Sequence, residues 1–252
     1  TLLRENLAVF SYKFGTKKVD ISTLQRRKRI VKSIEEVNEY ANYHLLTGDG
    51  NSTDIDLDCK ESEKLAEHFL PPTGLKYGRK SKKLPSHYLY KVLDLNKKHT
   101  RKFFKFKDPD ADKEMLVELR SNDHYSMCGG KYEDDDHVKW FEASSLGETT
   151  YDALYKQCAL LSLASIMLRL YPNEGMRNDF IWKLTGALWH HKVEEEDALK
   201  LVKSVAKVAK DDVKERLAKV RNVYKTAKNS EVQGLPKLAE KYNLTKEQVS
   251  DL

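Results

Sequence analysis

The chain has little sulfur chemistry. Its three cysteines, Cys59, Cys128 and Cys158, are scattered and form no C-x-x-C pair, which excludes a disulfide framework and a zinc finger and fits an intracellular protein. There is no run of 18 apolar residues and no signal-peptide pattern, so a membrane-spanning helix is not expected. No G-x-x-x-x-G-K-[ST] loop occurs, which excludes a P-loop helicase within these residues. His190 and His191 are adjacent, so on a helix they point different ways and lack the spacing of a shared metal site. An initiator Met is also missing, and the sequence reads as a piece of a longer polypeptide. What is present is a polar globular composition, with 40% hydrophobic and 33% charged residues over 252 positions and a formal charge of +6. That mild positive balance hints at nucleic acid without establishing it.

The most informative stretch is Ser52 to Cys59, where Asp54, Asp56 and Asp58 alternate with Ile55 and Leu57. In a strand, period-two alternation sends the three acids to one face and the aliphatic pair to the other. Like charges on one face repel, and a divalent cation is a natural compensating partner. Oxygen-only sites of this kind suit Mg²⁺ or Mn²⁺ and serve phosphoryl transfer; an edge strand with solvated acids is the plainer reading. Around this strand, Ser33-Ile34-Glu35-Glu36 has the form of a capping box and predicts a short helix to about Tyr40. Leu45-Leu46-Thr47 predicts a short strand, and Gly48-Asp49-Gly50 a turn that delivers the chain to the acids. Lys60 to Phe69 predicts a helix stopped by Pro71-Pro72.

A basic segment, Lys76 to His87, follows as a loop containing Arg79, Lys80, Lys82, Lys83 and Ser86 and leads into a strand from Tyr88 to Leu93. Its cations, hydroxyl and imidazole are donors a triphosphate needs, although a solvated surface loop has the same composition. Lys97 to Lys107 interleaves cations with Phe103, Phe104 and Phe106, which fits a half-buried strand or a groove that tracks a nucleic-acid backbone. Met115 to Arg120 predicts a strand in which Glu118 is either a third metal carboxylate or half of an ion pair, since an unpaired acid there would be expensive. Val138 to Phe141 predicts a further strand, and 144–147 a linker. From Thr149 onward the periodicity is helical, with helices expected over Tyr151–Tyr171, Asp179–His190, Glu194–Ala209 and Asp212–Lys228. Leu154, Cys158, Leu161, Leu168, Phe180, Leu184 and Leu188 are the expected core of a bundle. Thr245 to Gln248 has the form of another capping box.

The order of these features resembles the archaeo-eukaryotic primase superfamily, specifically its primase-polymerase branch in phages, plasmids and viruses. Asp54-Ile55-Asp56 resembles the first motif, Ser86-His87 the second and Glu118-Leu119-Arg120 the third, where an Asp is more usual. Ser86 and His87 adjoin where the family has one residue between them, and the zinc element of some relatives has no counterpart. The resemblance implies an α+β chain: a small mixed-sheet catalytic domain over residues 1–148, followed by an all-α helix-bundle domain over 149–252. It implies two Mg²⁺ or Mn²⁺ ions on Asp54, Asp56 and Glu118, with Asp56/Asp58 as the other candidate pair. It further implies a nucleoside triphosphate gripped by Arg79, Lys83, Ser86, His87 and Arg120. A single-stranded DNA template would lie along Lys102, Phe104, Lys105 and Arg177. A helicase further along the same polypeptide, a cytoplasmic setting in a host cell and no membrane partner complete the expectation. Two other readings stand beside it: a metal-dependent nuclease, and a noncatalytic replication initiator that binds DNA.

Overall fold

The computed structural model describes residues 2–15, 17–38, 40–96, 104–109 and 115–226. Ten strands and six α-helices among them make an α+β fold. In chain order they are β1 (Val9–Lys13), α1 (Thr23–Arg27), β2 (Ala41–Leu46), β3 (Ser52–Leu57), α2 (Lys60–Phe69), β4 (Leu75–Arg79), β5 (His87–Val92), β6 (Phe104–Lys107), β7 (Met115–Arg120), β8 (Tyr125–Gly129), β9 (Val138–Ala143), β10 (Gly147–Thr149), α3 (Tyr151–Arg169), α4 (Arg177–His190), α5 (Glu195–Val208) and α6 (Val213–Thr226). The strands form a three-stranded sheet, β1-β2-β8, and a seven-stranded sheet in the order β6-β7-β3-β5-β4-β9, with β10 beside β5. The β3 pairings with β5 and β7 are antiparallel, whereas β10 runs parallel to β5, so the larger sheet is mixed.

The acidic stretch does form a strand, and it lies inside the sheet. All six residues of β3 are buried, as expected for a strand with neighbours on both edges. The turn before it is built for the purpose. Gly48 has φ +94°, a conformation L side chains avoid, and a Cβ there would meet the backbone of Asn122 at 2.6 Å. The Gly48 amide then donates to the Ser52 carbonyl at 2.8 Å, which closes the turn onto the first residue of β3. Downstream, α2 buries Leu65, Ala66 and Phe69 on one stripe, carries Glu61 and Glu63 in its first turn where the helix dipole favours them, and ends before Pro71-Pro72.

Several local expectations are corrected. Ser33 opens only a three-residue 3₁₀ turn, Ile34–Glu36, and its side chain caps nothing. The working capping box is at Ser22, whose side chain and backbone exchange hydrogen bonds with Gln25 at the start of α1. The basic segment is not a loop throughout. Leu75–Arg79 is strand β4, with Leu75, Tyr77 and Gly78 buried, and only 80–86 connects it to β5. The expected 144–147 linker runs into β10. Lys102 and Phe103 lie outside the described residues, as does the capping box at Thr245; Phe104 and Lys105 lie in β6.

Compactness divides the chain differently from a single break after residue 148. One unit comprises residues 1–58, 70–105 and 117–158; the other comprises 59–69, 106–116 and 159–252. Apolar clusters of the first, among the described residues, include Leu7, Val9, Leu45, Leu75, Tyr77, Leu89 and Cys128, and Phe10, Tyr12, Val19 and Leu46. In the second, α4, α5 and α6 bury Phe180, Leu184, Leu201, Val205, Val220 and Val223, with Trp182 and Trp189 against Val223. Arg169 there holds both oxygens of Asp108, at 2.7 and 2.9 Å, and one of Glu61 at 3.3 Å.

Candidate functional site

Register decides which side chains meet. Asp56 on β3 lies opposite His87 of β5 on one side and opposite Glu118 of β7 on the other. Asp54 lies opposite Leu89 and Arg120. Directly opposed residues share a sheet face, so the alternation of β3 and the pairing of three strands bring Asp54, Asp56, His87, Glu118 and Arg120 onto one face. Asp58 follows β3 by one residue and continues that alternation beyond the strand end.

The carboxylates fall into two environments. Oxygens of Asp56, Asp58 and Glu118 lie within 4.8 Å of one another and form a cluster able to hold a metal ion. Asp54 is turned to a different task. Its Oδ2 is 2.9 Å from His87 Nδ1 and accepts a longer hydrogen bond, 3.4 Å, from the Tyr77 hydroxyl. The Tyr77 and His87 rings stack face to face, 4.4 Å apart and 2° from parallel. His87 Nε2 reaches Asp56 Oδ1 at 3.4 Å, so the ring bridges the two buried aspartates. Burial opposes a charged imidazole, yet the Asp56 and Asp54 carboxylates hold its pKa above the ordinary histidine value.

Arg120 supplies the remaining charge balance. Its guanidinium contacts Asp56 Oδ2 and lies 2.7 Å from Glu118 Oε2, with a further hydrogen bond to Ser126 Oγ at 3.3 Å. Glu118 is thus both a member of the oxygen cluster and half of an ion pair. Burial raises the Asp56 pKa, but Arg120 and His87 outweigh it and hold the carboxyl below its usual value. Asp58 goes the other way. Partial removal of its carboxyl from water, with the charges of Asp56 and Glu118 beside it, pushes it up to about 6 although the residue is exposed overall.

The donor set fits a hard divalent cation. It is all oxygen, the chemistry Mg²⁺ and Mn²⁺ prefer. Asp54 Oδ1 and Asp56 Oδ2 are buried without a hydrogen bond among the described residues, the latter meeting Arg120 only as an ion pair. A buried carboxylate oxygen without a partner is costly; Asp56 Oδ2 has the Arg120 guanidinium against it, and Asp54 stands outside the oxygen cluster.

The other residues expected at the site are placed as follows. Ser86 is buried, and its carbonyl accepts from the Leu57 amide at 2.8 Å, tying the start of β5 to the end of β3. On the β4 side the Ser86 amide donates to the Tyr77 carbonyl at 3.0 Å, and Gly78 leaves room for it, since a Cβ there would meet the Ser86 nitrogen and Oγ at 3.0 Å. Arg79 is paired with Asp134 and stacked over Tyr132, 4.1 Å from the ring centre. Lys83 is exposed in the 80–86 connection. Arg177 belongs to the helical unit, where it donates to Asp211 at 3.1 Å and to the Pro172 carbonyl at 3.2 Å. Arg216 and Tyr171 share that Asp211, at 2.7 and 2.6 Å, so Arg177 is engaged in a network internal to the bundle. His190 and His191 are exposed.

Three residues near the site, Tyr77, Lys17 and Lys18, carry no expectation from sequence. Tyr77, the platform for His87, lies in a segment whose run of cations masks its strand alternation. Lys17 and Lys18 precede α1 and line a cavity of about 500 Å³ together with Glu118, Arg120, His124, Tyr125, Met127 and Glu133. No local signal connects them to β7, because the juxtaposition is tertiary. No family model matches the chain, and no curated protein does.

Proposed function

We propose that the chain is a nucleotidyltransferase of the primase-polymerase type, which extends or initiates nucleic-acid strands from nucleoside triphosphates on a single-stranded template. The observation that carries this reading is the convergence of Asp56, Asp58 and Glu118 with His87 and Arg120 on one face of adjacent strands. Bound at these oxygens, Mg²⁺ or Mn²⁺ would supply the Lewis acidity that nucleotidyl transfer needs. The ligand set differs in emphasis from the sequence expectation: Asp58 joins Asp56 and Glu118, while Asp54 orients His87. Stacked on Tyr77, His87 turns one ring nitrogen to Asp54 and the other to Asp56 and so fixes the two carboxylates relative to each other. Arg120 is a fixed donor on the same face, and its planar fork suits phosphate as well as carboxylate.

Incorporation of labelled nucleotide on primed and unprimed single-stranded templates, with Mg²⁺ and Mn²⁺ in parallel, tests the reading. Wild type is expected to make product, and Asp56→Ala to lose it by at least a hundredfold while keeping the folded circular-dichroism spectrum. Silence of the wild type on every template, with intact DNA binding, would instead favour a noncatalytic initiator.

A further inference from the structure

Another cavity, of about 600 Å³, belongs to the first unit and shares no residue with the carboxylate cluster. One rim is the 3₁₀ turn Ile34–Glu36. Side chains three apart on such a turn eclipse one another, so Ile34 and Val37 stand together, and both line the cavity. They are 69% and 43% exposed, among the most exposed large aliphatic residues described. The rim is held in place. The Val37 amide donates to the Ile34 carbonyl at 3.1 Å, and the next residue, Asn38, exchanges hydrogen bonds with the Tyr43 hydroxyl at 2.7 and 3.0 Å. The facing rim carries Arg4 on a turn closed by the Asn6 amide to the Leu3 carbonyl and the Leu7 amide to the Leu2 carbonyl, at 3.2 and 3.1 Å. Val9, Val31 and Cys128 are buried beneath, and the Trp140 indole donates to the Cys128 carbonyl at 3.0 Å.

Charge narrows what the cavity can take. Arg4 is the one charged residue lining it among the described residues, and it makes no ion pair among them. The acids nearby in sequence are engaged elsewhere. Glu36 accepts from the Lys32 amide at 3.1 Å, and Glu35 is turned back on Ser33, whose hydrogen bond holds its carboxyl below the usual value. Glu142 is paired with Lys76 at 3.1 Å. Glu148, and with it Glu5, stabilises the Lys91 ammonium. Lys32, exposed beside Val31, adds a further cation. Tryptophan, tyrosine and arginine are the side chains that most often dominate the energy of protein interfaces, and Trp140, Tyr43 and Arg4 surround this apolar floor. Aliphatic residues fixed on a rim yet left in water mark a surface that a macromolecular partner covers, and the unpaired guanidinium selects a partner that brings a carboxylate.

We infer that this cavity docks an acidic peptide segment of a partner protein, one whose bulky apolar side chains enter between Ile34, Val37 and Trp140 while a flanking carboxylate pairs with Arg4. The surface is separate from the carboxylate cluster, and its occupancy does not depend on the nucleotidyltransferase reading.

The test uses the full chain. A displayed library of random peptides is selected on wild type, and the enriched peptides are synthesised with a fluorophore. Their affinities for wild type, Ile34→Asp/Val37→Asp, Arg4→Ala and Arg4→Lys are read by fluorescence anisotropy. The enriched peptides are expected to combine Leu, Ile or Phe with Asp or Glu. The aspartate pair should weaken them at least tenfold and Arg4→Ala at least threefold, with most of the latter loss restored by Arg4→Lys. Melting temperatures should stay within two degrees of wild type, because all three positions are exposed. Absence of enrichment, enrichment of basic peptides, or affinities unmoved by the aspartate pair overturns the inference. Sedimentation of the wild type and binding of dodecanoate are measured in parallel. A dimer that the aspartate pair splits would make a second copy of the chain the occupant, and binding of dodecanoate in place of any peptide would make it a small amphiphile; either result also overturns the inference.

Discussion

At the scale of single residues, chemically equal side chains are given different tasks by position. Asp54 and Asp58 are both two residues from Asp56, yet one is sealed against His87 and Tyr77 and the other stands beyond the strand end within reach of Glu118. Asp58→Asn should therefore weaken Mn²⁺ binding at least tenfold, whereas Asp54→Asn should change it less than threefold. Titration calorimetry of both variants checks this, and the reverse ranking would restore the Asp54/Asp56 pair. The alternation of acids was readable from sequence, but their division of labour was not, because it depends on where β3 ends and on the register of β5. A second residue was not legible at all. His44 is fully buried on β2, stacked on Phe10 at 5.3 Å and edge-on to Tyr12 and Tyr125. Neither ring nitrogen has a hydrogen bond among the described residues. Burial, with the Arg26 charge nearby, pushes its pKa down to about 4. Near neutral pH both folded and unfolded imidazoles are uncharged. As pH falls below about 6.5, the unfolded chain takes up a proton that the folded chain refuses until about pH 4, so stability is lost across that window by about 3 kcal/mol and then levels off. His44→Phe removes this titration and two unsatisfied nitrogens. It should be more stable than wild type by about 1–3 kcal/mol at pH 7, with the difference widening toward pH 4 in urea melts. A constant difference between the two proteins from pH 7 to 4 would contradict the assignment.

At the scale of elements, the site depends on a strand delivered in one register. A slip by one residue would turn Asp54 and Asp56 away from His87, Glu118 and Arg120 and bring Ile55 in their place. Gly48 helps prevent it, by closing the turn onto Ser52 in a conformation only glycine adopts cheaply. Gly48→Ala adds a Cβ against the Asn122 side chain and its Cα at 2.6 Å. The resulting strain should destabilise the fold by about 2–4 kcal/mol and lower metal affinity with it. A melting temperature within two degrees of wild type would show that the turn is not under this constraint. The sequence marked this turn correctly, and it marked α2 and β7 at their observed ends because their periodicity is local and their stops are clear. It did not mark β1, β4 or β8. Val9–Lys13 and Tyr125–Gly129 are short and alternate weakly, and Leu75–Arg79 hides two buried aromatic and aliphatic positions among cations. Each becomes a strand through pairing with a distant partner, β1 with β2, β8 with β2, and β4 with β5 and β9.

At the scale of the whole molecule, the sequence and the structure divide the chain differently. A change from strand-like to helical periodicity near residue 148 reads as a domain boundary. Compactness instead assigns α2 and residues 106–116 to the same unit as the later helices. The reason is visible in what those segments touch. Helix α2 packs on α5, with Lys200 over the Phe69 ring at 5.3 Å. Arg169, near the end of α3, holds buried Glu61 and Asp108 together. Periodicity reports the type of each element, not the partner that covers its apolar face, so a helix placed early in the chain reads as part of the early domain. A polypeptide ending at residue 148 would leave Leu65 and Phe69 without α5 and the two carboxylates without Arg169. Exposing two such side chains costs on the order of 3–5 kcal/mol, and a buried carboxylate stripped of its partner adds a comparable amount. Against a usual total of about 5–15 kcal/mol, that loss is decisive. The 1–148 fragment is therefore expected to lack a cooperative urea transition, to expose most α2 amides to rapid hydrogen exchange, and to bind Mn²⁺ at least tenfold more weakly than the full chain, since α2 begins two residues after Asp58. A fragment that unfolds as cooperatively as the full chain and keeps its metal affinity would show that the early residues fold without the helices.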